Sequence, residues 1–301
     1  MKIFKINNND FIGKRIDKVI TFLDNDLSRS QTQLLIKNKL ILVNGKNIKV
    51  NYLIKMHDEI EIRNFLPTKL WLKKENIPLE IIYEDNDILV INKQRGLVVH
   101  PGNGNKEHTL VNALLFHISN LSNIDFYRPG IVHRIDKDTS GMLLIAKNNK
   151  IHRLLAQQFL EHNIHREYKA LVKGVIYEDK GKIIAPIARS KINPTKMCVD
   201  TILGKEAESY FKVIKRFKNA TLVKVKIKQG RTHQIRVHFE YIKHPIIGDK
   251  VYGLNNREII KDGQLLHAYK ISFIHPITKK KMIFVSKLPD YFLNAIKYLN
   301  N

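Results

Sequence analysis

Cysteine is all but missing: Cys198 stands alone in 301 residues. That excludes an internal disulfide and any cysteine-clustered metal site, and it fits a reducing compartment. No apolar run approaches the roughly eighteen residues a membrane helix needs. Residues 1–11 also lack the apolar centre of a signal peptide, so a cytoplasmic chain without membrane attachment is expected. A glycine-rich phosphate loop and a dinucleotide fingerprint are both absent. Acidic residues are the remaining shortage. Asp and Glu number 28 against 52 Lys and Arg, a net charge of +24. Residues 1–75 hold 15 basic and 8 acidic residues and the remainder 37 and 20, so the excess is no basic tail on a neutral body. A surplus of this size points to a polyanionic partner such as RNA, DNA or an anionic membrane surface.

What is present is enough for a globular chain. At 44% hydrophobic, the sequence can fill one large core and a smaller one. Its centre is the stretch from Pro129 to Gly141, where β-branched residues give way to Asp138-Thr139-Ser140-Gly141, short polar side chains and a glycine suited to a turn. The apolar run Met142 to Ala146 then re-enters the interior. His133, Arg134 and Asp136 are therefore expected on a short loop between two buried strands. An Asp beside an Arg stays ionised at neutral pH and can act as nucleophile or base. From the local pattern alone an ion pair that only ties the loop down is the more ordinary reading, since structural ion pairs are common. As metal ligands, His133, Asp136 and Asp138 lack a second carboxylate cluster, so no metal is expected. His233 and His238, five apart on a helix, do not share a face and are expected to pack or hydrogen-bond.

In chain order, residues 1–12 read as an edge strand or arm. Residues 14–24 read as a helix with Ile16, Val19, Ile20 and Leu23 on one face. A second helix starts at Ser28, with Gln31 completing a capping-box pattern. On it Arg29, Gln33 and Lys37 recur every four residues as one polar, basic face. Leu40 to Val43, the Asn44-Gly45 turn and Lys46 onward make a hairpin, and residues 52–62 a further strand. Residues 63–76, with Pro67, read as a linker. From Leu79 come strand, Asp-rich turn and strand, then helices over 109–117 and 151–163. Two clean alternations follow, Tyr168-Ala170-Val172 and Val223-Val225-Ile227. Gly230 ends the second, with Thr232 as the cap of a helix from His233 that carries Arg236 and Glu240. A hairpin and a short helix close the chain. Strands adjoin strands more often than they alternate with helices, so the expected class is α+β with a mixed, largely antiparallel central sheet and flanking helices.

Two resemblances then stand out. Residues 13–62, carried by Leu27-Ser28-Arg29-Ser30 through Val43-Asn44-Gly45, resemble the small alpha-L RNA-binding domain, a platform that meets RNA backbone by shape and charge. Residues 79–290 are similar to RluA-type pseudouridine synthases, most of all to the RluD branch acting on large-subunit ribosomal RNA. Five ordered blocks carry this likeness: Asn92-Lys93 to His100-Pro101; Arg128 to Gly141; Tyr168 to Gly174; Gly230 to His238; and Leu265 to Ala268 with His275-Pro276. Gln94, Ala188 and Ile135 depart from the family pattern, none at a proposed catalytic position. The resemblance implies domains at 1–62 (RNA-binding) and 77–301 (catalytic, with the pseudouridine synthase fold), joined by 63–76.

It further implies roles. Asp136 matches the catalytic aspartate, and Arg134 the arginine that takes the place of the flipped uridine. Tyr168 matches the tyrosine that stacks on the base, and Arg236 the partner of the aspartate. Arg29, Gln33, Lys37, Arg231 and His133 are the expected RNA contacts. No cofactor is implied. The reaction breaks the N1–C1′ bond, turns the base and rejoins it through C5, with no atom gained or lost. The base must first leave the stack, at a cost of a few kcal/mol that an aromatic face partly recovers. The expected partner is large-subunit ribosomal RNA and the expected state a monomer. Transfer RNA is the rival substrate, and an assembly factor with secondary or lost chemistry the rival class.

Overall fold

Asn44 and Gly45 both adopt positive φ, 50° and 72°, the turn that matches the twist of a two-residue hairpin. It joins β2 (Ile41–Val43) to β3 (Lys46–Asn47). With β1 (Lys2–Lys5) and β4 (Glu59–Ile62) these form a small antiparallel sheet in the order β1-β4-β2-β3, so residues 2–5 are the edge strand expected. Helices α1 (Ile16–Leu23) and α2 (Arg29–Lys37) pack on it. Ile16, Val19, Ile20, Leu35, Ile41, Ile54 and Ile60 fill this unit's own apolar cluster. Of the strand expected over 52–62 only Glu59–Ile62 forms. The computed structural model describes residues 1–24, 27, 29–63, 72–102, 104–253, 259–260 and 263–301. The Ser28 cap and most of the 63–76 linker therefore lie outside the described residues. No described helix is long and apolar enough to cross a membrane.

The larger unit contains β5 (Ile81–Glu84), β6 (Ile88–Lys93), α3 (Leu110–His117), β7 (Ser140–Ala146), α4 (Asn149–Leu160) and β8 (His165–Lys173). It continues with β9 (Lys180–Ile184), β10 (Ile187–Arg189), β11 (Met197–Val199), β12 (Glu208–Arg216), β13 (Ala220–Ile227) and α5 (Gln234–Tyr241). It closes with β14 (Leu266–Ile274), β15 (Lys281–Val285) and α6 (Asp290–Asn300). A nine-stranded sheet runs β5-β6-β7-β14-β8-β13-β12-β9, with β15 also paired to β14. Every pairing is antiparallel except β7 with β14. The α+β class with a mixed, largely antiparallel sheet and flanking helices is what the structure shows.

Strict alternation sorts the strands' side chains to two faces. Leu89, Ile91, Leu143, Ile145, Tyr168, Ala170, Val223 and Val225 pack with α3 and α5. Ile88, Val90, Met142 and Leu144 pack with α4 on the other face. Further along that face Leu171 and Leu222 meet Phe292 and Ala295 of α6. Each Leu, Ile, Val, Met or Phe among them contributes about 1.5–3 kcal/mol of burial.

The segment before the central loop is no strand: Ile131 makes a single bridge to Ile145. Nor are Ser140 and Gly141 turn residues, because both lie in β7. Gly141 has φ +121°, and a Cβ there would sit 2.3 Å from the Ala268 carbonyl oxygen. The glycine lets β7 and β14 approach at the point where they run parallel.

Candidate active site

Between Ile131 and β7 the chain passes through His133, Arg134, Ile135 and Asp136. Ile135 is anchored in the main core, Arg134 faces solvent and Asp136 is half-buried. Lys93, at the end of β6, pins this loop. Its fully buried ammonium donates to the carbonyls of Gln94, Leu97 and Lys137 at 2.8, 2.8 and 3.0 Å. Burial pushes the Lys93 pKa down to about 7, with the Asp138 and Asp136 charges opposing.

Asp136 Oδ2 accepts from Arg236 Nη1 at 2.9 Å, across a hundred residues of chain. The same guanidinium grips Asp249 with its other edge, Nε to Oδ2 at 2.6 Å and Nη2 to Oδ1 at 2.9 Å. Asp249 has no solvent exposure and also accepts the Val251 and Tyr252 backbone N–H groups. Burial lowers the Arg236 pKa, but the two carboxylates outweigh it and the net shift is upward. The Arg236 guanidinium lies over the Tyr252 ring, 5.1 Å from its centroid. Arg236 is therefore held from three sides, and Asp136 is aimed by a fixed fork.

Gln234 begins α5, and the residue before it is His233 rather than the expected Thr232 cap. His233 has φ 56° and ψ 19°, left-handed geometry, which an L residue holds only when its surroundings dictate it. Its Nδ1 meets the Tyr252 hydroxyl at 2.8 Å, and the Gln234 side chain accepts the Arg231 N–H. This tight turn brings Arg236 to Asp136.

The pocket beside Asp136 is lined by Arg134, Arg166, Tyr168, Gly230, Arg231 and Arg236 among others. Tyr168 is 5% exposed. Burial raises its pKa, which the nearby Arg166 charge opposes. A second cavity of about 270 Å³ shares Arg134, Asp136 and Arg236 with the first and extends to His100, Lys137, Asp138 and Gln264. Arg134 points out beside it, with Nη1 3.1 Å from His100 Nε2.

The four residues expected at the reacting centre thus surround one cavity. The expected RNA contacts divide. Arg231 lines the pocket while its Nε donates to the Glu206 carbonyl. Lys37 is exposed. Arg29 and Gln33 both donate to the buried Asp17 of α1, at 2.8 and 2.6 Å, so the face is partly turned inward. Burial would raise the Asp17 carboxyl, but hydrogen bonds from Arg15, Arg29 and Gln33 outweigh it and hold it at about 2. His133 is a correction. Its Nε2 accepts the Leu144 N–H at 2.9 Å and its ring tilts against Phe159 with centroids 4.9 Å apart. Burial, seconded by the Arg166 charge, drives its pKa down to about 3. Where an RNA contact was expected, the ring is neutral and braces the loop from inside. Buried His238 bonds Ser209 and the Ala185 carbonyl, the packing role expected.

Two site residues escaped the sequence reading. Asp249 stands between Gly248 and Gly253, a setting that carries no signal of a site, and only the fold shows that it faces Arg236. Arg166 had a readable signal, since it continues the inward alternation of Tyr168, Ala170 and Val172.

Residues 87–241 match the model of the RNA pseudouridylate synthase family, and residues 14–60 that of the S4 domain. The chain belongs to the RNA pseudouridylate synthase family. It is 44% identical to an RNA pseudouridine synthase of Bacillus subtilis, YlyB, over 95% of this chain and 94% of that one. It is 41% identical to the ribosomal large subunit pseudouridine synthase D of Zymomonas mobilis, over 93% and 92%. Among solved structures it resembles human RNA pseudouridylate synthase domain containing 1, with TM-score 0.59 and 26% identity over 77% of this chain and 89% of that one. The synthase is thus an RNA uridine isomerase with an RNA-binding S4 domain ahead of its catalytic sheet.

Proposed function

We propose that the protein isomerises uridines of large-subunit ribosomal RNA in the cytoplasm, with Asp136 as the group that opens the glycosidic bond. The ion pair of Asp136 with Arg236, set at the mouth of the Tyr168 pocket, carries this reading. The relatives named for ribosomal large-subunit modification support the choice of RNA, and so does a charge of +24. Residues 1–62 bind the RNA at a distance and residues 77–301 carry the chemistry, with 63–76 between them.

In this mechanism the target nucleotide leaves its stack and Arg134, already solvent-facing, fills the gap. Uracil slides over Tyr168, whose ring recovers roughly 1–3 kcal/mol by stacking. Asp136 then meets the sugar–base linkage from a fixed direction. Arg231 and Lys37 contribute backbone contacts, with Arg29 and Gln33 freed to join them only where RNA displaces Asp17. Because the base is never released to water, it can turn and rejoin through C5.

Release of tritium from C5-labelled uridine in a large-subunit ribosomal RNA transcript tests this. Asp136→Asn is expected to abolish release while leaving RNA affinity within about threefold; equal release by both proteins would overturn the assignment.

A further inference from the structure

Arg166 is the buried cation that neither the fold nor the pairing of Asp136 requires. It is 7% exposed. Its Nε is shut off from solvent with no hydrogen-bond partner, and among the described residues no carboxylate or carbonyl pairs with it. Its contacts are apolar or steric. The guanidinium lies over Phe159, 5.2 Å from the ring centroid, and Gly230 leaves it room, since a Cβ there would fall 2.6 Å from Nη1. Yet it lines the pocket with Asp136 and Tyr168. A desolvated, unpaired charge costs several kcal/mol, so its place in the pocket calls for a ligand atom that bears negative charge.

We propose that Arg166 is a further catalytic residue, a hydrogen-bond donor to the O2 or O4 oxygen of the flipped uracil that stabilises the negative charge the ring acquires when its bond to the sugar is attacked. The inference rests on the proposed function. When N1–C1′ breaks, the bonding pair stays with the ring and spreads over N1, O2 and O4. When the pair returns to C1′ through C5, the C5 proton departs and N1 gains one, so atoms and charge balance. If the carboxylate adds to C6 instead, the charge collects on O4. On either course a carbonyl oxygen of the base becomes the anion, and the base lies on Tyr168, two residues from Arg166 on the same face of β8. The interaction is weak with neutral uracil and strong with the anion, as transition-state stabilisation requires. Where the acceptor is O4 the contact also separates uracil from cytosine, which presents an amino group there; O2 is common to both bases.

The test compares wild type with Arg166→Met and Arg166→Lys, using transcripts of large-subunit ribosomal RNA labelled at C5 with tritium, at saturating enzyme. Arg166→Met is expected to slow single-turnover release by about 100–1000-fold, with RNA dissociation constants within about threefold of wild type. Arg166→Lys should recover part of the rate. Removing an unpaired buried charge keeps the fold intact, which a melting curve checks. In a second arm the transcript carries 5-fluorouridine, whose ring bears negative charge more readily. Fluorine stands where the departing proton would be, so the final deprotonation is blocked and loss of the 5-fluorouridine peak from nuclease digests reads the attack and rejoining alone. Its deficit should be at least tenfold smaller for Arg166→Met. An equal deficit on both transcripts, a rate unchanged at saturation, or a loss confined to RNA affinity would each overturn the proposal. Wild-type protein that releases no tritium at all would overturn the proposed function instead.

Discussion

Arg236 and Arg166 enter the same site with nearly the same exposure, 6% and 7%, and with opposite company. Arg236 has two carboxylates, a bidentate grip on Asp249 and a single contact to Asp136. Arg166 has an aromatic face and a glycine. The first charge is neutralised by the protein and its work is finished on folding, for it points Asp136 in one direction. The second is left open, so its neutralisation waits for substrate. Equal burial of the same side chain can therefore mean a completed structural network or a vacant binding position. Only the partners tell them apart.

That contrast breaks most visibly on mutation of Arg236. Arg236→Met leaves Asp249 wholly buried without its cation, so the full chain should lose about 3–5 kcal/mol of stability, read by denaturant titration, together with its tritium release. Arg166→Met should by comparison keep or raise the melting temperature. A variant pair with equal stability losses would erase the distinction.

Gly230→Ala sharpens it. The φ of Gly230 lies outside the left-handed region, so alanine tests space alone. The added carbon pushes Nη1 of Arg166 away and leaves Arg236 untouched. Single-turnover release should fall by about tenfold, in line with the price of sub-ångström misplacement, with little change in stability; an unaltered rate would show that the position of Arg166 does not matter.

The smallest effect is a pH dependence. His133 titrates at about 3 in the folded protein, below its ordinary 6.5. A group with a depressed pKa stabilises the fold above its unfolded value, and that contribution drains away as pH falls from 6.5 toward 3. Arg166 is the second cause of the depression. In Arg166→Met the His133 pKa should rise, and the drop in melting temperature between pH 7 and pH 4 should shrink by at most about 1 °C. An identical drop in both proteins would remove Arg166 from the surroundings of His133.

Much of the molecule was legible before its structure. The alternations at Tyr168 and Val223 name the strands β8 and β13 and their inward faces, because a half-buried strand must repeat every two residues. Asn44-Gly45 names its hairpin for steric reasons. The α5 start misled, because Thr232 has cap chemistry while a tertiary bond to Tyr252 draws His233 into the left-handed turn. His133 misled for a related reason. A histidine next to Arg134 and Asp136 reads as a contact, and only the packing of α4 shows Phe159 beneath it and the Leu144 N–H at its edge.

The α+β class, the basic character, the family and Asp136 as the candidate carboxylate are readable before any fold, since each rests on composition or on neighbours in the chain. The resemblance already named Arg236 as the partner of Asp136; the tertiary structure adds how that arginine is held, by buried Asp249 on one edge and the Tyr252 ring beneath. Arg134 is two residues away and turns to solvent, while Arg236, a hundred residues on, supplies the bond. Strand register and the turn before α5 set that meeting, and no local pattern records which distant groups will share a cavity.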